Sequence, residues 1–262
     1  MQASILPDYG GMMAKLTYRG KEIISFNQDK VHLSALLSGG NPILFPFAGQ
    51  TAEDIYQVGG KNYYMPFHGL VKEAAFGVGE VCLGKAVMWV ESNAVNYKEN
   101  YPFHWRLEIC YELFDKQIRC TAKVINYSDK RLFHSFGWHP FFVASKKEEF
   151  ALTVNMAKYI DWETGKSYQS PKIVDCTKGS DLVFTERTEG ELKIRNEADG
   201  YEALIETPKA YKALVICSTF DKRVCVEPWI GPPDAAHQEE YLEYVDVGDI
   251  GEYPMTISLK EV

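Results

Sequence analysis

The chain has 262 residues, with 28 Lys and Arg against 36 Asp and Glu, a net charge of −8. A field of that sign opposes the phosphates of nucleic acid and anionic membrane surfaces, and no basic patch offsets it. A hydrophobic share of 46% supplies a sizeable core, and the scattered glycines and prolines leave no linker, so residues 1–262 read as one domain.

The first residues, Met1 to Asp8, have neither the basic segment nor the apolar run of a signal peptide, and no later run is long enough to cross a bilayer. A cytoplasmic protein is expected. Cys82, Cys110, Cys120, Cys176, Cys217 and Cys225 form no CxxC pair. That favours reduced thiols used as small core residues over disulfides or a zinc site.

In chain order, Met13 to Tyr18 is the first run with the two-residue period of a strand, and Val81 to Val90 the next. From Trp105 to Leu113 every odd position is apolar, and the even ones are polar apart from Cys110. Phe114-Asp115-Lys116 turns the chain, and Ile118, Cys120, Ala122 and Val124 alternate with polar residues, which predicts an antiparallel hairpin. Shorter runs follow at Phe150 to Val154, Leu192 to Arg195, Ala203 to Glu206, Leu214 to Ser218, Val224 to Glu227 and Met255 to Leu259. Asp234 to Tyr244 is compatible with a short helix. The pattern predicts an all-β protein, a large antiparallel β-sandwich, because so many strands in a single sheet would expose too much apolar surface.

Three segments hold candidate chemistry. His139 stands in Phe136-Gly137-Trp138-His139-Pro140-Phe141-Phe142, where apolar neighbours lower a histidine pKa; such a ring either keeps a fixed hydrogen bond in the core or handles protons. His68, in Pro66-Phe67-His68-Gly69-Leu70, is either presented into a cleft by the turn that Gly69 permits or bonded to the loop backbone. In Val224-Cys225-Val226-Glu227-Pro228-Trp229, parity sends Cys225 and Glu227 to one side and the two valines to the other. Pro228 is expected to end that strand and leave Glu227 at its tip, as a tunable acid or base or as a solvated rim carboxylate.

These segments, with Asn41-Pro42-Ile43-Leu44-Phe45-Pro46 before them, resemble in kind and order the motifs of the aldose 1-epimerases, the galactose mutarotase-like proteins, with the short bacterial LacX-type branch nearest. The resemblance runs from about Leu6 to the C-terminus and implies a β-sandwich that interconverts the α and β anomers of an aldose without cofactor or metal. It assigns Glu227 to take the proton of the anomeric hydroxyl, His139 to protonate the ring oxygen, and His68 to hydrogen-bond the sugar nearby. Trp138, Phe141, Phe142 and Trp229 are either apolar faces for the sugar ring or core. Asp181 is either a hydroxyl ligand or a turn residue before a strand. Where many relatives carry arginine, this chain has Gln50, after Gly49, and Lys72, shortly after His68-Gly69-Leu70. Loss of the guanidinium fork disfavours a phosphorylated sugar, unless Lys72 or Arg106 supplies the charge, and leaves a sugar-binding sensor as an alternative to an enzyme. A metal set of His68, His139 and Glu227 is not expected, and His32, His104, His134 and His237 are isolated in the sequence. The expected partner is a small sugar, with no nucleic acid and no membrane; the residues leave the oligomeric state open.

Overall fold

The computed structural model describes every residue except Val31, His32 and Asn96, together with the side chains of Tyr97 and Lys98. One of the isolated histidines, His32, therefore lies outside the described residues. Among the described residues, two large antiparallel sheets and two small two-stranded ones are formed. The first runs from its Gln2–Leu6 edge through Met12–Tyr18, Lys21–Ile24, Phe141–Val143, Arg223–Trp229, Ala213–Cys217 and Asp181–Arg187 to Met156–Asp161 and Ser167–Gln169. The second centres on Ile250–Glu261, Gln117–Asn126 and Trp105–Leu113, with Tyr201–Glu206 and Lys85–Glu91 outside them. Each sheet draws strands from both halves of the sequence.

The alternation explains the packing. Trp105, Leu107, Ile109 and Tyr111 are buried while the even positions between them are half exposed, and Gln117–Asn126 pairs with this strand from Ile118 opposite Leu113 to Asn126 opposite Trp105. These side chains meet Leu214, Ile216, Val224 and Val226 of the first sheet in one continuous core. Each large aliphatic side chain taken fully out of water contributes about 1.5–3 kcal/mol. The six cysteines are all free thiols, as expected from their spacing. Among the described residues no helix is long and apolar enough to cross a membrane.

Three expectations about elements need correction. Val81 to Val90 is a hairpin, Gly77–Cys82 with Lys85–Glu91, because Gly84 takes a left-handed turn at φ 80° beside the fully exposed Leu83. Asp234 to Tyr244 holds two single 3-10 turns, Ala235–His237 and Glu239–Tyr241, followed by a short strand at Glu243–Val245. Pro228 does not end its strand, which continues to Trp229 with Leu214 opposite Pro228 and Ala213 opposite Trp229.

Candidate active site

Pro228 persists in a strand because its missing donor falls where the ladder is already thinned. On this side Val226 N–H donates to Pro140 O at 3.3 Å and Ile230 N–H to Phe136 O at 2.9 Å, with Pro228 between them. Pro140, in the facing segment, lacks a donor too. The register on either side of the gap is the same, Phe141 opposite Cys225 and Gly137 opposite Trp229, so His139 stands directly opposite Glu227. Both residues send their backbone donors away from each other: His139 N–H goes to Asn41 Oδ1 at 3.0 Å, and Glu227 belongs to the ladder with Val215. They form a non-hydrogen-bonded cross-strand pair, the geometry in which side chains approach most closely.

Two further strands extend this row. Val183 lies opposite Val215, and Val215 opposite Glu227; beside them Asp181 lies opposite Cys217, and Cys217 opposite Cys225. Because side chains alternate, all of these point to the face of the first sheet that turns away from the shared core, and they floor a cleft. Its walls include Gln50, Phe67, His68, Trp162, Phe220 and Trp229.

At the centre His139 Nε2 is 3.3 Å from Glu227 Oε2, with both side chains almost wholly buried. The approach is not aligned as a hydrogen bond, and Glu227 Oε2 and His139 Nδ1 are enclosed without partners. Burial pushes the Glu227 carboxyl well above the usual range, and Cys217 and Asp181 push it further; the nearby Trp229 indole opposes them, although its N–H makes no hydrogen bond of normal geometry. Burial also takes His139 down to about 3. The two shifts have one meaning: without ligand the pair favours its uncharged form, a carboxylic acid facing a neutral imidazole.

The loop over this floor fixes His68. It has φ 63°, in the left-handed region, and the next residue, Gly69, has φ 77° with no room for a Cβ against the Phe45 carbonyl. Gly49 N–H donates to His68 Nδ1 at 3.0 Å, which makes Nε2 the protonated nitrogen of the neutral ring. Burial holds that ring neutral, well below the usual histidine pKa, with His139 and Lys72 adding to the effect. Its ring centre is 5.5 Å from those of both His139 and Trp229, edge to face. Trp229 fits against the sheet because residue 137 is glycine: a Cβ there would come within 2.6 Å of the indole.

The sequence matches the family profile described as aldose 1-epimerase over residues 2–245. The chain belongs to the aldose 1-epimerase family. No curated protein matches it. Among solved structures, the Slr1438 protein of Synechocystis sp. PCC 6803 superimposes with a TM-score of 0.91 at 24% identity, covering 99% of this chain and 92% of that one. A galactose mutarotase-like protein from Clostridium acetobutylicum gives 0.83 at 18% identity, covering 99% and 92%. The galactose 1-epimerase of Lactobacillus acidophilus NCFM gives 0.78 at 14% identity, covering 99% and 91%. At these identities the structures establish the shared fold.

In this aldose 1-epimerase family member, His68, His139, Glu227, Asp181, Gln50 and Trp229 all border one cleft. Two other expected sugar contacts do not. Trp138 has the opposite parity to His139, so it enters the core and its Nε1–H donates to Tyr211 Oη at 2.9 Å. Lys72 turns its ammonium back to the Phe67 carbonyl at 2.9 Å. Phe142 is core, whereas Phe141 stacks on the His139 ring at 4.8 Å beneath the cleft. Gln50 donates from Nε2 to Asp54 at 3.1 Å. Arg106 is on the second sheet, held by Glu91 and Glu108 over Trp89. His134 is buried against Tyr253 and Phe45 away from the cleft, and His237 pairs with Asp234 at the surface. Trp162, Cys217 and Phe220 are lining residues that the sequence did not single out. Cys217 had a readable sign, its place on the outward parity of Leu214 to Ser218.

Proposed function

We propose that this protein is an aldose 1-epimerase in activity as well as in family, an isomerase that opens and recloses the ring of a free aldose. The observation that carries the reading is the enclosed His139 to Glu227 pair, 3.3 Å apart, with the His68 ring beside it. Ring opening needs a base at the anomeric hydroxyl and an acid at the ring oxygen together, and one proton on this pair suffices for both. In the ion-pair form Glu227 accepts the hydroxyl proton while His139 Nε2 delivers its own to the ring oxygen, giving the open aldehyde, a protonated Glu227 and a neutral His139. After rotation about the C1–C2 bond, closure on the other face of the carbonyl runs these transfers backward and restores the starting form. Nothing is consumed, so no cofactor is required.

His68 does not titrate in this scheme. With Nδ1 occupied by Gly49 N–H, its Nε2–H is a fixed donor for a sugar oxygen. Asp181 offers an acceptor for a hydroxyl, and Trp229 an apolar face for the ring. The whole chain acts as one unit in this reading, since the floor and the histidine loop come from segments far apart in sequence, and the residues suit a cytoplasmic setting. No lysine or arginine is among the described residues lining the cleft, which supports an unphosphorylated sugar.

Polarimetry on freshly dissolved α-glucose and α-galactose tests the activity. The protein is expected to bring the rotation to equilibrium well ahead of buffer alone. Folded protein that binds these sugars without hastening mutarotation would point instead to a sensor.

A further inference from the structure

Beneath the cleft a third donor joins the central pair. The Cys225 thiol, a His139 ring nitrogen and a Glu227 carboxylate oxygen all lie within 4.8 Å of one another, and all three residues are buried. Cys225 owes this to parity, since it precedes Glu227 by two on the same strand and points to the same face. We propose that Cys225, His139 and Glu227 form a binding site for a zinc ion, an inhibitory site laid over the acid/base pair.

The geometry suits that ion. Zinc bonds of about 2.0–2.1 Å to nitrogen and oxygen set a tetrahedral N···O edge of about 3.3–3.4 Å, and the His139 Nε2 to Glu227 Oε2 separation is 3.3 Å. The edges to sulfur need about 3.6 Å, so the three donors, now within 4.8 Å of one another, would have to close to that length on binding. A thiolate, an imidazole and a carboxylate leave a fourth coordination position for a water or a sugar hydroxyl.

A second observation points the same way. Glu227 is 1% exposed, and its Oε2 has no hydrogen-bond partner. A buried acceptor left so costs about 1–3 kcal/mol, which a metal bond would remove. Among the described residues lining the cleft there is also no lysine or arginine that a divalent cation would have to face. Binding replaces two protons: Cys225 loses its thiol proton, Glu227 its carboxyl proton, and neutral His139 donates its lone pair. The site therefore weakens as pH falls.

Zinc is to be titrated by calorimetry into full-length, chelator-treated protein, with cobalt as a spectroscopic probe. One ion per chain is expected, with a thiolate-to-cobalt charge-transfer band. Cys225→Ser is expected to lose the band and weaken zinc more than about a hundredfold, beyond the 10–100-fold that outer partners contribute to metal sites. Cys82→Ser, at the exposed thiol, is expected to leave both unchanged. Glu227→Gln is a second variant that keeps the side-chain shape and is expected to weaken zinc as well. Absence of stoichiometric binding, or binding that persists in Cys225→Ser and Glu227→Gln, overturns the site.

Inhibition of anomerisation by zinc, reversed by chelator, rests in addition on the proposed activity. Zinc bound through Cys225 in a protein that hastens no anomerisation would sink the activity and leave the site standing. An active protein that gives no binding heat and no thiolate band would do the reverse.

Discussion

At the scale of single residues, the centre of the site is a proton held between two groups whose environments oppose their ordinary charges. Burial raises Glu227 and lowers His139, and both shifts favour a single proton on the pair, carried by Glu227. Losing that proton leaves no acid, and gaining a second leaves no base. The kcat/KM profile is therefore expected to fall as pH rises through the elevated Glu227 pKa, and to hold on the acid side, while the fold persists, until His139 takes a proton near 3. A pH–rate series checks this; activity that climbs steadily into alkaline solution would contradict it. His68→Phe is expected to keep the pH profile and lose activity by about 10-fold or more, the loss of one hydrogen-bond donor of about 1.5 kcal/mol to the transition state.

At the scale of elements, the site is a product of strand register. His139 and Glu227 are 88 residues apart yet directly opposite, because Gly137 pairs with Trp229 and Phe141 with Cys225. Gly137 leaves room for the Trp229 indole, so Gly137→Ala is expected to displace that side chain and lower sugar affinity more than it lowers stability. Sugar titration followed by tryptophan fluorescence, beside a thermal melt, separates the two effects. Gly69→Ala should act on stability as well, because a left-handed residue against the Phe45 carbonyl must move the loop that carries His68. The chemistry of the histidines and the glutamate was legible in their aromatic, glycine and proline surroundings, and the facing of Cys225 and Glu227 followed from parity. Pairing between distant strands was not, since a local period states which face a residue takes but never its cross-strand neighbour. The same limit hid the rim residues Trp162 and Phe220, whereas the outward parity of Cys217 could be read. The reading of Pro228 as a terminator failed because the strand stays paired on its other side, with Leu214 opposite Pro228 and Ala213 opposite Trp229, where no Pro228 donor is needed. Trp138 shows parity deciding against a motif, one residue from His139 and on the other side of the sheet.

At the scale of the whole molecule, the sandwich encloses neutral histidines that the unfolded chain would protonate. His134 and His139 are both lowered by burial from 6.5 to about 3, so between those values the unfolded state binds more protons than the folded one. The stability they contribute is complete above about 6.5 and is lost as pH falls toward 3, at roughly 1.4 kcal/mol per pH unit for each histidine. His134 has neither ring nitrogen partnered and lies outside the cleft. His134→Phe is expected to flatten the acid side of a denaturation series by about one proton, with anomerisation unchanged; an unaltered slope would place the acid sensitivity elsewhere. The most direct measurement of the proposed activity is NMR exchange between the α and β signals of a free aldose at equilibrium, with wild type, Glu227→Gln and His139→Asn each shown to be folded. Wild type should exchange the anomers far above the buffer rate, and each variant should lose about 10²–10⁴-fold of that gain. Exchange at the buffer rate in wild type, or undiminished exchange in Glu227→Gln, would contradict catalysis by this pair.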